Sequence, residues 1–250
     1  MTNSKQATVV LLHGVGLDHT MWRPLQQQLG RVSVALDLPG HGQQPALREP
    51  QDLASLARDV LGRMDESGPV HLVGFSLGAL VAQHIARFAP ERVLTLTAVN
   101  SVCQRTAEES ASVEQRLATA GEHFEEGVDK AIERWYPKEQ STVPADIIAD
   151  TRRVLAANDL ESYLHAYAVF ARGDREIAGE LGSITQPTLA ITGELDPGST
   201  PEMSHRLGAA IPHCTVHVVP GARHMLPVEN APALAAQLNS FFSENEGMPS

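Results

Sequence analysis

His71-Leu72-Val73-Gly74-Phe75-Ser76-Leu77-Gly78 is an apolar, strand-like segment ending in a serine held between two glycines, and it runs directly into the helix-forming stretch Ala79–Ala89. Leu80, Val81, His84, Ile85 and Phe88 of that stretch recur at helical spacing and mark one buried face. Glycine on either side allows the sharp turn that projects a serine, and the N-terminus of the following helix faces developing negative charge. Gly-x-Ser-x-Gly by itself is a weak signal. Its placement between a buried strand and a helix gives it weight.

Working outward, short Val-, Leu- and Ile-rich runs alternate with longer helix-period segments, which predicts a parallel sheet covered by crossover helices. The runs are Thr8–Leu12, Val32–Leu36, Val70–Val73, Val93–Ala98, Thr188–Thr192 and Thr215–Val219. Leu53, Leu56, Ala57, Val60, Leu61 and Met64 form another apolar helical face. Between about Ser101 and Ser183 the alternation stops. That segment is charged and helical, with expected helices at Ala107–Ala120, Phe124–Trp135, Ala145–Ala156 and Leu160–Arg172. It is either a helical cap over the strand ends or a set of extra crossover helices beside the sheet. The tail Glu244–Ser250 is expected to fray.

Composition narrows the partners. The 250 residues carry a formal charge of −11, which argues against nucleic acid or an anionic membrane surface as a partner, because both would be repelled. It leaves room for a small local basic pocket, since surface charges are screened within about 8 Å at physiological salt. Two cysteines, Cys103 and Cys214, are too few for a disulfide framework and show no metal-ligand spacing, so a reducing, cytoplasmic setting is expected. The polar start Met1–Gln6 lacks the apolar region of a signal peptide, and no apolar run reaches the ~18 residues of a membrane span.

A serine hydroxyl is a poor nucleophile near neutral pH and needs an adjacent base. Among eleven histidines, His224 has the fitting context: it follows the last expected strand and precedes a final helix opened by Asn230 and Pro232. A carboxylate must then fix the imidazole tautomer and stabilise its charged form. Asp196 and Glu194 both sit in Gly193-Glu194-Leu195-Asp196-Pro197, just past the strand Thr188–Thr192, where sites assemble in parallel sheets. Donors for a tetrahedral oxyanion are expected from the backbone N–H of Leu77 and, in the turn His13-Gly14-Val15-Gly16, from that of Val15, with Gly16 as the alternative. His13 and His41 are expected to support backbone turns by hydrogen bonding.

Taken in order, Val9-Val-Leu-Leu-His-Gly-Val-Gly16, Asp37-Leu-Pro-Gly-His-Gly42, Gly74-Phe-Ser-Leu-Gly78, Gly193-Glu-Leu-Asp196 and Arg223-His224 resemble an α/β-hydrolase over nearly the whole chain. The resemblance implies an α/β-hydrolase fold, a mostly parallel sheet flanked by helices. Residues 1–100 and 184–250 would form the core, and 101–183 a helical cap. It also implies a Ser76, Asp196, His224 triad in the chain order of that fold, working without metal or organic cofactor. Within the fold, Pro90-Glu-Arg-Val93, Glu133-Arg-Trp-Tyr136, Val154–Tyr163 and Ile184–Leu189 look like 3-oxoadipate enol-lactonases of aromatic catabolism.

The resemblance implies a small ester or lactone substrate that bears a carboxylate, with Arg134 either its anchor or a solvated helix residue paired with nearby carboxylates such as Glu133, and Trp135 a neighbouring wall. Trp22, Phe75, Met225, Tyr163 and Tyr167 are further wall candidates. Two departures are expected: with about seven residues before the first Val/Leu-rich strand, the sheet is expected to lack the antiparallel hairpin that usually precedes it, and Met225-Leu226-Pro227 follows the histidine. Hydrolysis of carbon–carbon bonds, amides or simple carboxylesters fits the same triad, and a ligand sensor on this fold is the reading from another functional class.

Overall fold

The apolar runs form six parallel strands in the computed structural model, which describes residues 6–65 and 67–246. They are β1 (Val9–Leu12), β2 (Ser33–Leu36), β3 (Val70–Phe75), β4 (Val93–Val99), β5 (Thr188–Gly193) and β6 (Cys214–Val219), ordered β2-β1-β3-β4-β5-β6. The helices of the first half are α1 (Arg23–Leu29), α2 (Leu53–Arg63) and α3 (Leu77–Phe88). Between β4 and β5 come α4 (Ala107–Ala120), α5 (Phe124–Trp135), α6 (Ala145–Ala156) and α7 (Leu160–Ile177). After β5 follow α8 (Pro201–Ala210), α9 (Leu226–Glu229) and α10 (Ala231–Asn245). No described helix is long and apolar enough to cross a membrane.

The central strands are buried on both faces, and their side chains alternate between two apolar layers with the two-residue period of a strand. Val10, Leu12 and Leu72 join Leu56, Val60, Leu80 and Ile85 on one side. Val9, Leu11, Val73 and Phe75 join Leu25, Leu29, Leu234, Leu238 and Phe242 on the other. Helices α2, α3 and α8 therefore cover one face, and α1 and α10 the opposite one.

The chain leaves β1 toward β2 on one side and then crosses to β3 on the other. Strand order reverses there, which opens a crevice at the carboxyl ends of β1 and β3. Ser76 follows β3 and the His13–Gly16 turn follows β1, so both lie at that crevice. Two glycines permit the close approach. A Cβ at Gly78 would collide with the Leu12 carbonyl at the end of β1, and one at Gly74 with the Gly78 carbonyl.

Helices α4–α6 begin and end where the sequence places them, whereas α7 continues five residues past the expected end at Arg172. The reason is burial. Ala166, Val169 and Ile177 of α7 pack into the same layer as α3, so this helix ties the insertion to the core. Among the described residues the sheet contains no antiparallel strand, and β2 is an edge whose flank leaves Val32 and Val34 exposed. Residues 1–5, on which part of the hairpin expectation falls, lie outside the described residues. The expected fraying is corrected for Glu244–Glu246. Helix α10 runs to Asn245, and Glu246 pairs with Arg31 and His71, while 247–250 lie outside the described residues.

Candidate active site

Ser76 occupies the turn between β3 and α3 with φ 53° and ψ −113°, a conformation that L-residues rarely adopt. Such a residue costs on the order of 1–3 kcal/mol and persists only where its surroundings over-determine it. Here they do: the Ser76 N–H donates to the Val99 carbonyl at 3.0 Å, and the Ser76 carbonyl accepts from Ala79 N–H at 3.0 Å. The side chain faces a cavity of about 470 Å³ that Val15, Asp196 and His224 also line, within the size range of small-molecule sites.

His224 lies on the loop after β6 and donates its Nδ1–H to Asp196 Oδ2 at 2.7 Å. This leaves Nε2 as the basic nitrogen. The ring is held between Trp135, nearly parallel at 5.6 Å between centroids, and Phe75, tilted at 4.9 Å. Ser76 and His224 line the same cavity without a hydrogen bond between them among the described contacts. Such contacts commonly tighten only when substrate binds. Gly193 is needed here because a Cβ would strike the carbonyls of Ala222 and Arg223, so the His224 loop rests directly on the Asp196 loop.

Asp196 is almost fully buried. Burial alone would push its carboxyl up, but the facing His224 charge and hydrogen bond, with the N–H groups of Ser199 and Gly198, bring it below its ordinary range. Those N–H groups donate to Oδ1 at 3.0 and 2.8 Å. A further donor reaches Oδ2: the Asn100 side-chain amide, at 2.7 Å, from the end of β4. Asn100 carries no motif signal, and its one local cue is a φ of 46°, which sequence does not display. Glu194, the rival carboxylate, turns away and accepts the Gly221 N–H at 2.9 Å.

The candidate oxyanion donors differ in what already engages them. The Gly16 N–H donates to His41 Nε2 at 2.9 Å, so it is already engaged. Among the described hydrogen bonds, none uses the Val15 or Leu77 N–H, and Leu77 opens α3, where a helix leaves its first N–H groups unpaired. His13 and His41 are neutral braces: His13 accepts from Leu38 N–H at 2.8 Å and donates to the Gly14 carbonyl at 2.7 Å.

Of the expected wall and anchor residues, Arg134, Trp135, Tyr163 and Tyr167 line the cavity. Trp22, Phe75 and Met225 do not. Trp22 is fully buried edge-on to Phe75 beneath the turn, and Met225 is fully buried at the start of α9 in the same apolar layer. Their placement in the pocket is corrected: apolar neighbours of a catalytic motif fill the core behind it when their strand and loop positions point inward.

The alpha/beta hydrolase family model matches residues 9–238. This chain belongs to the alpha/beta hydrolase family. The α/β hydrolase is 31% identical over 224 residues to the (E)-2-((N-methylformamido)methylene)succinate hydrolase of Acinetobacter baylyi, spanning 87% of this chain and 83% of that protein. It is 29% identical to 3-oxoadipate enol-lactonase 1 of the same organism, spanning 77% and 72% of the two chains. Among solved structures, this hydrolase is similar to a hydrolase from Pseudomonas aeruginosa at a TM-score of 0.83 and 26% identity, covering 95% of this chain and 90% of that one. The enol-lactonase from Burkholderia xenovorans shares the fold at a TM-score of 0.84 and 24% identity, covering 97% and 94%.

Proposed function

We propose that the protein is a serine hydrolase of small carboxylate-bearing metabolites, acting on an ester, lactone or similarly activated acyl group through an acyl-enzyme. The observation that carries this reading is the cavity floor. A strained, projecting Ser76 shares it with a histidine whose far nitrogen is fixed by Asp196 at 2.7 Å.

In the proposed reaction Ser76 Oγ attacks the carbonyl carbon while His224 Nε2 takes its proton, and Asp196 stabilises the resulting imidazolium. The Val15 and Leu77 N–H groups hold the oxyanion. Collapse of the tetrahedral intermediate expels the leaving group, which receives the proton from His224. Water, deprotonated by the same nitrogen, then clears the acyl group and regenerates Ser76. Arg134 is the proposed anchor for a substrate carboxylate, because it lines the cavity and makes no ion pair among the described residues. Trp135 supplies the adjoining wall.

The relatives support a small, acidic acyl substrate. One is named for a hydrolase of a methylene-succinate derivative and another for an enol-lactone. A panel of an enol-lactone, an N-acyl enamide and a short aryl ester, each bearing a carboxylate, separates the leaving-group classes by product. Multiple turnovers on at least one are expected, with a loss of roughly 10³-fold or more in kcat for Ser76→Ala. Turnover of none of them, or full activity in Ser76→Ala, would overturn the reading and leave ligand binding as the function of the cavity.

A further inference from the structure

The cavity wall carries more positive charge than its own side chains neutralise. Arg105 pairs with Asp174 at 2.7 Å, and Lys130 with Glu126 at 2.6 Å. On the acidic side, Glu109 pairs with Arg206 at 2.8 Å, and Asp196 is held by His224. Among the described residues lining the cavity, only two cations have no carboxylate within 4.0 Å: Arg134 of α5 and Arg116 of α4. Both are exposed residues that line the cavity, in a chain whose overall charge is −11.

The Arg116 guanidinium is aimed by hydrogen bonds to the Ser112 hydroxyl at 2.9 Å and the Tyr167 hydroxyl at 3.4 Å. Tyr167, which accepts from Arg116, lines the same cavity as Arg134, and after desolvation the Arg116 charge is the next influence pushing Arg134 below its ordinary range, with Tyr167 and Tyr163 acting the other way. Two like charges held together without counterions are unfavourable at rest. A monoanion relieves one of them and leaves the second without a counterion. Two separate guanidiniums on two helices suit two separate carboxylates, since each fork can bind one planar carboxylate through parallel hydrogen bonds.

We infer that Arg116 and Arg134 form a paired-guanidinium subsite that selects a dicarboxylate, so that the substrate carries two carboxylates besides the acyl group presented to Ser76. This rests on the hydrolase reading for its meaning, and its test does not. Titration calorimetry compares glutarate with valerate, the same five-carbon chain with one carboxylate fewer. Neither ligand has a bond to hydrolyse, so the outcome is independent of Ser76 chemistry.

Glutarate is expected to bind wild-type protein about tenfold or more tightly than valerate, the scale of one additional charge-assisted contact. Arg116→Gln and Arg134→Gln should each reduce that preference to roughly threefold or less. Arg172→Gln, which removes a cation paired with Glu114 outside the cavity, should preserve it. Thermal melts of each variant report whether the helices remain folded. Glutarate binding no better than valerate, including no binding of either, would overturn the proposal. So would a preference that survives both cavity substitutions, or tighter binding of inorganic phosphate than of glutarate.

Discussion

Asn100 donates its amide N–H to the same Asp196 oxygen that accepts the His224 imidazole N–H, each at 2.7 Å. Two donors on one carboxylate oxygen fix its direction, and through it the plane of the imidazole. Because Asn100 has a φ of 46°, glycine can replace it without backbone strain, so Asn100→Gly removes the amide and leaves the turn. A hydrogen bond to a charged group contributes about 1.5–3 kcal/mol, so kcat on an aryl ester should fall roughly tenfold to hundredfold with KM little changed. An unchanged kcat would remove Asn100 from the positioning of the pair. At this scale the sequence yields residues that sit in ordered motifs: Ser76, Asp196, His224, Val15 and Leu77 reach one crevice. Asn100 and Arg116 were not legible because their relations are tertiary, 96 residues from Asp196 in the first case. Trp22 and Met225 were misplaced for the converse reason. Proximity in sequence to a motif does not say which face of the turn a side chain takes.

Between residue and molecule stand the loops after β1 and β2, each locked by a buried histidine. His13 Nε2 accepts from Leu38 N–H, and His41 Nε2 accepts from Gly16 N–H, so both rings must be neutral for Val15 to be held in place. Burial, with the neighbouring His41 charge next, takes His13 from 6.5 down to about 3, and burial also lowers His41. An unfolded histidine takes up a proton below its ordinary value while the folded one does not, so stability is retained above about 6.5 and lost as pH falls toward about 3. A single such group with the span of His13 contributes a slope of about 1.4 kcal/mol per pH unit inside that window, and His41 acts in the same direction. His71 and His84 are also lowered by burial and act in the same sense, whereas Glu229, raised by burial, opposes them. Urea unfolding midpoints should therefore decline between about pH 6.5 and 4.5, before most carboxylates titrate. A flat or rising profile there would contradict neutral histidine braces. Element positions were the most legible part of the fold, since strand runs and helical faces follow from side-chain period alone. The end of α7 was not, because its last turns are stabilised by contact with α3 and α2 rather than by a local pattern.

Over the whole molecule, a sheet whose strand order reverses at β1 and β3 places the serine turn and the His13–Gly16 turn side by side. The loops after β5 and β6 complete the constellation from the other side. Residues between β4 and β5 line the cavity and bring its local positive charge, through Arg105, Arg116, Lys130 and Arg134, against a net charge of −11. In the proposed function Ser76 becomes covalently acylated while His224 serves as its base. Intact-mass spectrometry after rapid mixing with a slowly deacylating aryl carbamate tests it most directly. The expected result is a single added carbamoyl group, mapped by peptide fragmentation to Ser76, absent in Ser76→Ala and formed at least about 10³-fold more slowly in His224→Ala. No adduct on the wild-type protein, or an adduct on another residue that persists in Ser76→Ala, would contradict it.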